Sequence, residues 1–149
     1  MKTTTRAIKY FLIVASKDHV RKGIELSIAQ ACHGKVAPLK RMKAGDRVVY
    51  YSSKIKMEES GKANSCQMFT AIGTVKSDDK PYQVVMSEDF KPWRVNVEFE
   101  KNVKELSVHS VLDQLEFITN KKNWGMAFRF GFKEISESDF LVIENGMLN

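Results

Sequence analysis

Cys32 and His33 stand side by side in SIAQACHGK (residues 27–35), and Gly34 follows them. A thiol next to an imidazole could be a nucleophile with its base, part of a metal site, or the wall of a pocket. Catalysis by cysteine needs a base within hydrogen-bond reach and a lowered thiol pKa. Sequence neighbours point their side chains apart, so the partner of Cys32 would have to be His19 or His109, brought in from elsewhere. A zinc site needs four suitable ligands, and three His and two Cys without close spacing make a poor set. No GxSxG, HExxH or Walker-type loop is present. Cys32 and Cys66 lie 34 positions apart with no CxxC, so both read as packing thiols and not as a disulfide framework.

A second kind of chemistry is recognition of an unstacked base. It requires flat aromatic faces, a few polar groups for the base edge, and positive charge for phosphate. The chain carries Tyr50, Tyr51, Trp93 and Trp124, with Lys121 and Lys122 just ahead of Trp124. Trp93 belongs to an alternating run and reads as core. Trp124 sits in the polar stretch NKKNWG, as a loop anchor or a pocket wall. The net charge of +6 suits an anionic partner such as nucleic acid, although a charge of this size is also ordinary for a soluble domain. The lysines form small clusters and no long basic tail, so binding would use a folded face.

The elements that must position these groups can be read from periodicity. The 149 residues suit one domain, spanning 1–149, and 43% of them are hydrophobic, enough for a core. No apolar run reaches the length of a membrane span. MKTTTRAIK lacks a secretory h-region, which points to the cytoplasm. Tyr10 to Ala15 is apolar without alternation and predicts a strand buried on both faces. Ser16 occupies a helix N-cap position with Asp18 in the first turn, and Val20, Ile24 and Ile28 make a helical stripe ending near Gly34. A short helical turn at Ala37 to Met42 and a turn at AGD (44–46) lead into a strand over Arg47 to Ser53. The stretch from Glu58 to Ser65 reads as a long surface loop, and Lys54 to Asn64 as a lip over a groove. Further strands are predicted at Gln67 to Lys76, Tyr82 to Ser87, Lys91 to Glu100 and Met126 to Phe132. In the last, Phe128, Phe130 and Phe132 would share one face and Arg129 the other. Ser110 to Leu115 reads as helical. Ser136 caps a final helix, with Asp139 in a capping-box-like position and Gly146 as its stop. About six strands, mostly joined by turns, with three or four helices predict an α+β domain around a curved, mainly antiparallel sheet.

Six blocks, in order and covering nearly the whole chain, carry a resemblance. KYFLIVASKDHV, GIxxxIAQACHGK, RMKAGDRVVYYS, FTAIGTV, PYQV and NWGMAFRFGxxEISESDF closely resemble the EVE domain family in its stand-alone bacterial form. The resemblance implies a PUA-like fold, a curved β-barrel-like sheet with flanking helices. It also implies kinship with the YTH domain, which holds a methylated adenine in an aromatic cage. EVE-type modules are taken to read modified bases in DNA or RNA, without catalysis, metal or cofactor.

Carried over block by block, the resemblance implies a pocket lined by Val14, Ala15, Ser16, Lys17, Gln30, His33, Tyr51, Ser52 and Trp124. Tyr51 and Trp124 would stack on the base. Ser16, Gln30 and Ser52 would bond its edge. Lys17, Lys35, Lys121, Lys122 and Arg129 would meet phosphate. Two tryptophans cannot form a three-tryptophan cage, so the pocket must use tyrosine or be more polar. The expected partner is nucleic acid, not a membrane. The alternatives are a nucleoside-like small-molecule sensor and a nucleobase-processing enzyme with His33 as acid or base.

Overall fold

YFLIV and RVVYYSSK are apolar enough to sit in the middle of a sheet, and there they pair with each other in parallel. A computed structural model of the chain describes residues 7–31, 34–76 and 81–148. The strands are β1 (Tyr10–Val14), β2 (Ile28–Ala29), β3 (Arg47–Lys54), β4 (Ser65–Val75), β5 (Tyr82–Gln83), β6 (Trp93–Phe99), β7 (Leu106–Ser107) and β8 (Phe132–Ile135). They form one mixed, curled sheet in the order β2-β6-β4-β3-β1-β8, with β5 added to β6 and β7 to β4. Only the β1–β3 pairing is parallel among the described strands. Helices α1 (Lys17–Leu26), α2 (Val36–Lys40), α3 (Val108–Val111) and α4 (Glu137–Leu148) pack around it.

Alternation along β1 and β3 divides the core in two. Leu12, Val49 and Tyr51 face one cluster with Phe69, Leu115, Phe128, Phe140 and Ile143. Phe11, Ile13, Val48 and Tyr50 face the other with Val20, Leu39, Ala71 and Val97. The predicted core face of β6 is present: Val95 and Val97 are buried, and Trp93 and Phe99 pack against the second cluster.

Several sequence expectations need correction. The stripe Val20–Ile24–Ile28 is not one helical face. Ser27 takes a left-handed conformation at φ 56°, its N–H closes the helix on Ile24 O at 3.2 Å, and Ile28 begins β2. The predicted strand Tyr82 to Ser87 stops at Gln83, and a hairpin follows in which Met86 N–H donates to Phe90 O at 3.0 Å. Met126 to Phe132 is not a strand. Trp124–Phe128 is a 3₁₀ helix, Gly131 turns the chain at φ 75°, and β8 starts only at Phe132. The three phenylalanines therefore part company. Phe128 is buried against Tyr51, Phe130 is 75% exposed, and Phe132 stacks on Phe11.

Gly146 does not stop the last helix, which continues to Leu148. A Cβ there would lie 2.6 Å from Leu106 Cδ2, so the glycine serves close approach to β7. Asp139 forms half of the expected capping arrangement. Its N–H donates to Ser136 Oγ at 3.1 Å, while its buried carboxylate turns away to accept the N–H groups of Glu116 and Phe117 at 2.8 and 2.9 Å. The loop after β3 is tied down by Asn64. The side chain of Asn64 bonds Lys56 N–H, Lys56 O and Glu59 O, each at 2.8 Å.

Candidate functional site

Where β1 ends and α1 begins, the chain opens a cleft of about 440 Å³, within the range of about 300–1,000 Å³ usual for small-ligand sites. Its floor comes from Val14, Ala15 and Ser16 and from Tyr50 of β3. One wall is α1, through His19, Lys22, Gly23 and Leu26. The opposite wall is Gln30, Ala31, Gly34 and Arg94, with Met86 and Phe90 reaching in from the hairpin after β5. Ser53, Lys54 and Met57 close the third side, and Gly131 the fourth.

Each wall has a local cause. Gly34 adopts φ 81°, and a Cβ at that position would meet Pro92 Cβ at 2.5 Å and Phe90 Cε1 at 3.4 Å. Only glycine lets the hairpin come this close. The loop carrying Met57 is held by Asn64, as above, and Asp18 N–H donates to Ile55 O at 2.9 Å. That contact anchors the loop to the start of α1. The pairing of Ala29 with Val95 sets Gln30 beside Arg94, whose Nε donates to Gln30 Oε1 at 2.6 Å. Arg94 Nη2 also reaches Met86 Sδ at 3.3 Å.

The electrostatics are one-sided. His19, Lys22, Lys54 and Arg94 line the cleft, and none of the described lining residues is Asp or Glu. Asp18, exposed in the first turn of α1, is not among the lining residues. Burial pushes its carboxyl upward, but hydrogen bonds from the Ser16 hydroxyl at 2.5 Å and the His19 N–H at 2.9 Å outweigh that, and its pKa falls below the ordinary value. Burial drives the Tyr50 phenol far above its usual pKa, so it presents as a neutral ring. Methionines and Phe90 supply the remaining apolar wall. A cleft with aromatic and thioether walls, a few polar groups and a basic rim can enclose a flat, partly polar ring attached to an anion.

Of the sequence-predicted residues, the structure brings Val14, Ala15, Ser16 and Gln30 together in this cleft. His33, with Cys32, lies outside the described residues. Lys35 is exposed beside Gly34. Lys17 does not line the cleft, because its ammonium pairs with Glu105 at 2.8 Å.

Tyr51, Ser52 and Trp124 are not in it either. Tyr51 is 1% exposed and stacks on Phe128 at 3.9 Å across the sheet from the cleft. Ser52 is fully buried against Thr70, with the two hydroxyls 2.8 Å apart. Trp124 packs edge-on to Phe128 and to His109, whose Nε2 lies 2.8 Å from Gln67 Oε1. Lys121 Nζ donates to the carbonyls of Leu112 and Leu115 at 3.1 and 2.8 Å. Lys122 and Arg129 are exposed on the same side segment, Arg129 two residues before the cleft-lining Gly131.

The sequence assigns to the pocket none of His19, Lys22, Lys54, Met57, Met86, Phe90 and Arg94, and offers Tyr50 only as one of four aromatics without placing it there. A signal existed for Tyr50, since it is offset from Tyr51 by one position in a strand, and such an offset changes the face. No signal in the sequence pointed to Phe90 or Met86, which reach the cleft only through the hairpin.

The family model of the EVE domain matches residues 9–146. An uncharacterised "UPF0310 protein in gntR 5'region" from Bacillus licheniformis is 45% identical over 89% of this chain and 87% of its own length. The UPF0310 protein YdcG of Bacillus subtilis is 40% identical over 93% and 91%. Among solved structures, the Pho92 YTH domain in complex with m6A superposes with a TM-score of 0.59 at 15% identity, covering 100% of this chain and 88% of that one. A hypothetical protein from Leishmania major gives 0.57 at 15% identity over 93% and 94%. At such identities the likeness is one of fold, and the fold is PUA-like α+β.

Proposed function

Because this chain belongs to the EVE domain family, we propose that it is a non-catalytic module that binds nucleic acid and encloses one base, carrying a modification, in the α1–β3 cleft. The observation that carries the reading is the cleft itself. Its apolar walls of Tyr50, Met57, Met86 and Phe90 lie inside a rim of His19, Lys22, Lys54 and Arg94. Rings of the base would lie against the apolar walls, and phosphates would meet the rim and Lys35. The YTH relative was solved with m6A, which supports a base-sized ligand for a fold of this shape. The aromatic stack expected of Tyr51 and Trp124 is reassigned to Tyr50 and Phe90, since the former pair serves the opposite core.

The test is binding to short single- and double-stranded oligonucleotides, each with and without a modified cytosine or adenine, at two salt concentrations. Lys22→Ala and Phe90→Ala probe the cleft, and Trp124→Ala is the distant control. A preference for one modified base that Phe90→Ala abolishes and Trp124→Ala leaves intact supports the reading. Uniform weak binding, removed by salt and indifferent to all three substitutions, overturns it.

A further inference from the structure

The loop between β3 and β4 carries Met57 to the cleft, and little apolar burial holds it there. Ile55 and Met57 are 36% and 38% exposed, so the position of the loop rests on hydrogen bonds. Strand pairing fixes its two ends, at Lys54 and Ser65. Other bonds are internal. Ile55 N–H donates to Asn64 O at 2.8 Å, and the Asn64 side chain holds Lys56 and Glu59. These bonds shape the loop without joining it to α1. Among the described hydrogen bonds, the ties to α1 run through Asp18. Its N–H donates to Ile55 O at 2.9 Å. In return its carboxylate accepts the N–H of Met57. The same carboxylate is fixed from its own side by the Ser16 hydroxyl at 2.5 Å and the His19 N–H at 2.9 Å. Donors from both sides hold this carboxylate in one place, and hydrogen bonds to an ionised acceptor are the strong ones.

We propose that Asp18 is a positioning residue: it latches the β3–β4 loop to the start of α1 and so holds Met57 in place as a wall of the cleft. Asp18 itself is not a lining residue, whereas its neighbours Ser16 and His19 are. It acts through Met57. The Met57 thioether is flexible and polarisable, suited to packing against a flat ring once its backbone is fixed. With the carboxylate removed, Met57 N–H loses its acceptor and the loop keeps only its internal bonds and its strand ends. The third side of the cleft then opens to water, and a bound ring loses an apolar contact. This inference rests on the proposed base-binding role of the cleft and adds the residue that completes its wall.

The experiment has two readouts on the intact protein, Asp18→Ala, Met57→Ala and the double variant, with folding checked by thermal melting. The first needs no ligand. Amide hydrogen exchange of the β3–β4 loop, followed by peptide mass spectrometry, should quicken by about tenfold or more in Asp18→Ala, with β1 and β6 unchanged. The second is affinity for the oligonucleotide whose modified base is preferred and for its unmodified twin. Met57→Ala should lower the preference by about fivefold, the scale of one lost apolar contact. Asp18→Ala should lower it by a similar factor, and adding it to Met57→Ala should lower it by less than about twofold more, because both act on one wall. A merely structural role for Asp18 would weaken binding of both twins alike and leave their ratio unmoved. Unchanged loop exchange in Asp18→Ala, an unchanged ratio, or fully additive losses in the double variant each overturn this inference while leaving base binding in place. If the intact protein prefers no modified base, the reading of the cleft and the wall role of Met57 fall together, and loop exchange alone decides the latch.

Discussion

Tyr50 and Tyr51 are neighbours in sequence and 4% and 1% exposed, yet they belong to different parts of the molecule. Tyr51 stacks on Phe128 at 3.9 Å, within an aromatic cluster that also takes in Phe69, Phe117 and Trp124. Tyr50 faces the cleft, and its hydroxyl reaches the Gln30 carbonyl oxygen at 3.4 Å. One face of β3 is closed by aromatic rings and holds the fold together. The other packs a second core and opens only beside Tyr50, into the cleft rimmed with cations. Aromatic residues alone therefore do not mark a binding site in this protein. The strand face and the charge around it do.

Four substitutions or conditions test that division, in order of expected size. Phe128→Ala should be the most damaging, because it empties the centre of the closed face; a loss of about 3–5 kcal/mol in urea unfolding is expected. Asp139→Ala strands the N–H groups of Glu116 and Phe117. It should cost about 1–3 kcal/mol by the same measurement. Third is alkaline pH. Burial raises the folded-state pKa of both tyrosines well above 10, so their contribution is complete below the unfolded-chain value of about 10 and is lost as pH rises beyond it. The melting temperature should fall above about pH 10, less steeply in Tyr50→Phe and in Tyr51→Phe. A profile that both variants leave unchanged would assign the alkaline loss to other groups. Smallest for stability is Lys22→Ala, within about 0.5 kcal/mol of the parent in unfolding. It should nonetheless weaken oligonucleotide binding and lower the slope of log affinity against log salt by about one. If Lys22→Ala binds unchanged while Trp124→Ala loses binding, the two faces have been assigned the wrong way round.

Much of the architecture was legible from local pattern. The buried run of β1, the AGD turn into β3, the alternation of Val95 and Val97 in β6, and Ser136 at the head of α4 all follow from period and capping. The misreadings share a cause. MAFRFGF has the alternation of a strand, but its start lies in the 3₁₀ helix Trp124–Phe128, which buries Phe128 against Tyr51, and the chain turns at Gly131 before β8 begins at Phe132. Gly146 has the type of a helix stop, but tertiary contact with Leu106 explains it instead. Legibility of the site was more uneven. Val14, Ala15 and Ser16 at the β1–α1 junction, and Gln30 just after β2, are the residues that the family resemblance implied and that also line the cleft. Phe90, Met86 and Arg94 come from more than 50 positions further along the chain.

The sequence by itself determined the family, the α+β class, the positive balance and the junction at Ser16 around which the cleft is built. These are matters of residue type and short-range spacing, which the chain carries before it folds. Only the tertiary structure decided which tyrosine meets the cleft, where Trp124 packs, and which way the Gln30 amide points. Each of those depends on strand register and on a partner distant in sequence. Arg94 lies 64 positions from Gln30, and no local rule ties the two until β2 and β6 pair.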